Sequence, residues 1–287
     1  MSASHFRFAQ VEVPGRLGLD DGRYLLRGSE DEPGETVLVV QTVGTPPARP
    51  SRRRRRPRPS EPGGEAPGVP LTRLTVIPGI EIDPRQAAQE LARLRRDHEA
   101  AEERVAEALR AINRVLRAHR IATQDPYGHE LSRDAVLGAR VGHGTGSELA
   151  EGRWEEAVEV PAPERRRRRH EALRPAERVA AVIGGRERID VCEVLLLRAR
   201  ADLDAGHSRE AALQLRVGLD ALLAEVPTGA GSDQADDLAD LERRREGVAA
   251  TAEQALHGEL SGDRADHVAE ALAIAERVLR RRQILRG

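Results

Sequence analysis

The residues that come nearest to chemistry are Gly142-His143-Gly144-Thr145-Gly146-Ser147, flanked by Arg140 and Arg153. Glycines so spaced let backbone N–H groups approach a phosphate, and a helix starting at Ser147 or Glu148 would add its dipole. The candidate anion-binding set is therefore Arg140, Gly142, His143, Gly144, Gly146, Ser147 and Arg153. A phosphate- or nucleotide-binding enzyme is the function it implies. The spacing departs from the Gly-x-Gly-x-x-Gly of dinucleotide sites, and a flexible connecting loop is the first reading of the same residues.

Two arginine runs form the second constellation: Arg52, Arg53, Arg54, Arg55 and Arg56, then Arg165, Arg166, Arg167, Arg168 and Arg169. Either could neutralise several phosphates, giving weak, salt-sensitive and nonspecific nucleic-acid binding. Both are set in Pro-rich segments that read as solvated linkers, and the net charge of the chain is only -2. Aromatic residues make up 2% of the sequence, too few to offer stacking platforms for single-stranded nucleic acid or flipped bases.

Other chemistries fall away on composition. No lysine occurs, so Schiff-base, pyridoxal-phosphate and standard P-loop mechanisms have no ammonium to use. Cys192 is the sole cysteine and sits in an apolar run, which leaves no disulfide framework and no Cys-rich metal site. His98 and His119 share one helical seam, but roughly 30 Å of helix separates them. Asp202-x-Asp204-x-Gly206 opens like a calcium loop and then lacks its later ligands. Asp233, Asp236, Asp237 and Asp240 suit a helix start, where carboxylates complement the dipole. No catalytic residue, cofactor or metal is expected. No apolar run is long enough to span a membrane and Ser2 to Gln10 lacks signal-peptide character, so the expected location is cytoplasmic.

The elements that would carry these residues divide the chain. His5 to Val13, Gly22 to Arg27 and Thr36 to Val43 have strand character, and the continuously apolar third run is expected at the centre. Residues 44–70 read as a disordered Arg/Pro linker interrupting a β-rich module over 1–82, with Leu71 to Ile77 as a fourth strand. Asp83-Pro84 starts a long helix over 83–121. Leu91, His98, Val105, Ile112 and His119, with Leu94, Ala101, Ala108 and Val115, form an a/d seam suited to a bundle or a coiled coil. Residues 122–170 form a mixed loop region containing a short strand or helix at Ala135 to Val141. Residues 171–287 form a helical bundle, with helices near 175–183, 189–204, 209–226, 233–257 and 263–282. The fold class is α+β, mainly α.

Within the bundle, Leu195 to Leu223 resembles one tetratricopeptide helical hairpin. Ala199 and Gly218 stand at its small positions, Leu195 and Leu215 at large ones, Gly206 at the turn and Ala211 at the usual alanine. Asp202 stands where the family has an aromatic, and no second copy follows at the repeat spacing. The resemblance implies peptide binding or scaffolding; an ordinary αα-hairpin has the same pattern. The leading expectation is a non-catalytic interaction or scaffold protein presenting helical surfaces to a protein partner or to another copy of itself.

Overall fold

In the computed structural model, residues 4–28, 34–44, 69–162, 175–225 and 232–286 are described. Both arginine runs, and most of the 44–70 linker, lie outside them. The chain divides into two compact units, Met1–Ala162 and Pro163–Gly287. The fold is α+β and mainly α, with eight α-helices and seven strands among the described residues.

The first unit is an antiparallel sheet with its two longer helices on one face. Its strands are β1 (His5–Pro14), β2 (Gly22–Arg27), β3 (Glu35–Val43), β4 (Leu71–Pro78), β5 (Glu81–Ile82), β6 (Gly138–Thr145) and β7 (Glu156–Glu159). The order is β2-β3-β4-β1-β6-β7, with the short β5 pairing the start of β1. The central strand is thus β1 rather than the third run. It alternates as a strand should, with Ala9, Val11 and Val13 toward the helices and Phe8 and Gln10 toward the other face. The expected module over 1–82 is incomplete without β6, whose glycines hide it from strand propensity, and the short β7.

The periodic run over 83–121 is two helices, α1 (Pro84–Leu94) and α2 (His98–Thr123). Asp97 breaks it: the residue is extended and its carboxylate accepts from the Ala100 amide at 3.0 Å, capping α2. A capping box of Asp83 and Gln86 starts α1. The seam faces the sheet instead of another helix. Leu94, Ala101, Val105, Ala108, Leu109, Ile112 and Leu116 pack on Ala9, Val11, Leu38, Val40, Leu74, Val76, Ala139 and Val141. Each fully buried Leu, Ile or Val here contributes roughly 1.5–3 kcal/mol. The Asn113 side chain donates to the Leu131 carbonyl (3.0 Å) and accepts from the Leu131 amide (2.7 Å), fastening the connection from α2 to β6.

The second unit begins with α4 (Pro175–Ile183), after the four-residue α3 (Gly146–Leu149) of the first. There follow α5 (Val191–Asp204), α6 (Ser208–Glu225), α7 (Ser232–His257) and α8 (Gly262–Arg286). Gly206, with φ +81°, makes the α5–α6 turn, a conformation that favours glycine. A Cβ on Gly218 would stand 3.0–3.2 Å from Leu195 and Leu196, so the missing side chain lets the two helices approach. The last helix packs against both α5 and α6, closing a four-helix bundle instead of stacking as a further repeat. Its core is Cys192, Leu196, Ala199, Leu215, Leu219, Leu222, Leu241, Val248, Val268, Leu272 and Val278.

Candidate functional site

The structure does not bring the seven anion-binding candidates together. Gly142 to Thr145 belong to β6, paired with Arg7, Phe8 and their neighbours on β1. Alternation then sends Arg140 and His143 to opposite faces. Arg140 lies on the face away from the helices, 5.4 Å above the Trp154 ring and paired with Glu159 (3.3 Å) and Glu12 (3.4 Å). Arg153 pairs with Glu151. Ser147 lies within α3, where Thr145 is the cap and accepts from the Glu148 amide.

The glycines serve packing. A Cβ on Gly142 would stand 2.1 Å from the Glu156 carbonyl oxygen and 2.8 Å from the Ala157 Cα. One on Gly144 would meet Leu149, Glu155 and Trp154 at 3.2–3.3 Å, and one on Gly146 the Phe6 ring at 3.2 Å. Bare backbone therefore lets residues 149–157 fold over the sheet, where Trp154 stacks on Phe8 at 5.8 Å. Gln10, 1% exposed, reaches Thr75 Oγ1 (3.0 Å) and the Gly152 carbonyl (3.3 Å) under this strap.

On the helix-bearing face the fold gathers charged residues that are remote in sequence. His5 Nε2 lies 3.0 and 3.1 Å from the Glu155 carboxylate oxygens, and His143 Nδ1 lies 3.7 Å from the same group. Nearby, Glu90 pairs with both Arg7 and Arg104, and Arg95 reaches Glu156 at 3.1 Å. The cluster ties β1, β6 and the turn before β7 to α1 and α2. Its components are acids, bases and guanidinium groups. Among the described residues no three His, Cys, Asp or Glu side chains are placed to hold a metal ion.

In the bundle, Cys192 is fully buried, and its thiol is pushed up to about 12 by burial and by the neighbouring Glu225 carboxylate. It stays a protonated thiol at neutral pH. Glu225 in turn lies below its usual carboxyl range, held there by the Cys192 thiol and by the Cys192 and Val191 amides it accepts from. The carboxylate thereby closes the N-terminus of α5. Arg282, from α8, meets the α5 cap residue Asp190 at 2.6 Å.

The feature that packing leaves unexplained is the outer side of α5. At 100° per residue, Cys192, Leu196 and Ala199 mark the core-facing side, and Val191, Val194, Leu197 and Ala201 lie opposite. All four are exposed, Leu197 to 70%. Beside them, α4 buries no residue at all; it exposes Val179 and, to 81%, Ile183. Ile189 continues the strip between the two helices. Arg178 ties α4 to its neighbour, bidentate on Glu193 (2.7 and 2.8 Å) and 3.1 Å from Glu187. The apolar residues on the outer side of α5 come in addition to those that fill the core, so the helix offers apolar surface in two directions. Sequence reasoning noted only that Cys192 sits in an apolar run; the signal it could have used is that Val191 to Leu197 are seven residues with one charge, Glu193, more than one buried face needs.

No helix among the described residues is long and apolar enough to cross a membrane. No family model, curated protein or solved structure matches this chain.

Proposed function

We propose that this protein is a non-catalytic interaction protein whose docking surface is the apolar strip of α4 and α5: Val179, Ile183, Ile189, Val191, Val194 and Leu197. The observation that carries the reading is the outer face of α5, apolar and exposed on a helix whose opposite face already fills the bundle core. Helical surfaces with anchors at this spacing are a recurring mode of protein recognition. The reading uses the bundle as a rigid support for α5 and gives the sheet unit no catalytic role. A reducing, cytoplasmic setting belongs to the same proposal, supported by the sole cysteine being a free buried thiol.

The test is a photo-reactive amino acid at the exposed position of Arg198, on the same side of α5, in cells making the full chain. Protein adducts at this position that vanish on Leu197→Glu are expected. Adducts that survive Leu197→Glu, or none, contradict the proposal. Leu197 is exposed, so the substitution leaves the bundle folded, with a stability change within about 0.5 kcal/mol.

A further inference from the structure

We infer that the free edge of β2 is a docking site for an extended peptide, which adds one more antiparallel strand to the sheet and sets an acidic residue opposite Arg23. The site belongs to the first unit and is independent of the strip on α4 and α5. Strand β2 ends the order β2-β3-β4-β1-β6-β7, and among the described residues β3 is its only strand partner. Paired antiparallel strands exchange backbone hydrogen bonds at every second position. The Gly28 amide donates to the Gly34 carbonyl at 2.7 Å, so the bonded positions continue through Leu26, Tyr24 and Gly22. Arg23, Leu25 and Arg27 therefore turn their amides and carbonyls away from β3. Two contacts agree with this register. The Glu35 carbonyl, across from Arg27, is given to the Gly79 amide at 2.7 Å, and the outward Arg27 carbonyl accepts from Arg114 Nη2 at 3.5 Å.

Outward backbone donors and acceptors repeating every two residues are the complement of another strand. The side chains beside them define its chemistry. Tyr24 and Leu26 turn to the helix-bearing core, so Arg23, Leu25 and Arg27 share the other face, with Leu25 57% exposed. Arg27 lies across from Glu35 on β3, whereas Arg23 lies across from Val39 and meets no carboxylate there. Of the two carboxylates in the turn before the strand, Asp21 is taken by the Thr42 amide (2.9 Å) and hydroxyl (2.7 Å), and Asp20 is exposed without an ion pair to Arg23. An incoming strand gains most from an apolar residue beside Leu25 and a carboxylate two positions along, beside Arg23. A second copy is disfavoured: two β2 edges in antiparallel register centred on Leu25 set each Arg23 against the other copy's Arg27. The opposite edge of the sheet, β7, is four residues long, and its Glu156 and Glu159 already meet Arg95 and Arg140.

Fluorescence anisotropy of a labelled peptide, Thr-Glu-Thr-Val-Thr-Glu-Thr, titrated with the full chain tests this. Saturable binding is expected, about tenfold weaker with Arg23→Glu, which turns attraction into repulsion. N-methylation of the peptide's Glu and Val amides removes the donors that face the edge, keeps the charge, and abolishes binding. Lysine in place of both peptide glutamates weakens binding to the unsubstituted chain and restores it to Arg23→Glu. Binding that tolerates N-methylation overturns the inference, as does a single-stranded oligonucleotide that displaces the peptide and is weakened equally by Arg23→Glu, since the edge is then a general polyanion contact. A dimer of the chain that Leu25→Glu dissolves, or no peptide binding at high chain concentration, overturns it too. Arg23 and Leu25 are exposed, so both variants keep the fold, which circular dichroism checks.

Discussion

Gly142 shows how a residue whose spacing suggests ligand chemistry can be required by packing alone. Its Cβ position is occupied by the Glu156 carbonyl, backbone that cannot swing aside as a flexible side chain would. Gly142→Ala should destabilise the first unit by about 1–3 kcal/mol in urea unfolding, the range for overfilling a tight site. An unchanged midpoint would return the glycine to the ligand-binding reading. Glu225 is the second telling residue. Because its folded carboxyl is held below the usual value, it contributes stability above the unfolded value near 4.3, and that contribution is lost as pH falls through the folded one. Thermal melts of Glu225→Gln should show a deficit of about 0.5–1 kcal/mol at pH 7 that closes below about pH 4. A deficit constant with pH would mean the charge plays no part in capping α5.

Among the elements, α4 is the one held by charge instead of burial. With no buried residue, it depends on the Arg178 guanidinium meeting Glu193 and Glu187. Arg178→Ala should remove hydrogen-exchange protection over 175–183 and leave the melting of the bundle unchanged; retained protection would show that the apolar side chains already anchor it. The bundle helices were legible in the sequence because caps and breakers bound them: Pro175, Gly184-Gly185, Gly206 and Ser208 all mark observed ends, whereas the Asp190 cap falls inside the expected 189–204 helix. The break between α1 and α2 was not, since a heptad stripe continues across Asp97 and periodicity alone cannot distinguish one helix from two. Nor does a stripe name its partner, and here a sheet took the place of a second helix. Strand β6 was the hardest to see, because Gly138, Gly142 and Gly144 remove the side chains from which strand propensity is read.

For the molecule as a whole, both units pair their charges within the fold and both leave some apolar side chains exposed. Charged clusters in the sheet unit are paired within the fold, as in His5–Glu155, Arg133–Glu102 and Arg73–Glu12. The helical unit pairs charges too, as in Arg200–Glu276 and Arg282–Asp190, and it adds a run of exposed apolar side chains along one side of a single helix, Val191, Val194 and Leu197. The resemblance of Leu195 to Leu223 to a repeat hairpin foretold the close approach of α5 and α6 through Gly218; it did not foretell that α8 would close the bundle and leave the outer side of α5 as the available face. That side carried a signal in the sequence, a helix with more apolar residues than one core needs, but only the folded neighbours show which of them are left over. The account turns on whether this face is covered by protein. Photo-cross-linking at position 198 in the full chain, compared with the same group at the exposed Glu246 of α7, tests this most directly. The account predicts adducts at 198, few at 246, and loss of those at 198 on Leu197→Glu; equal labelling at both positions, or none at 198, would contradict it.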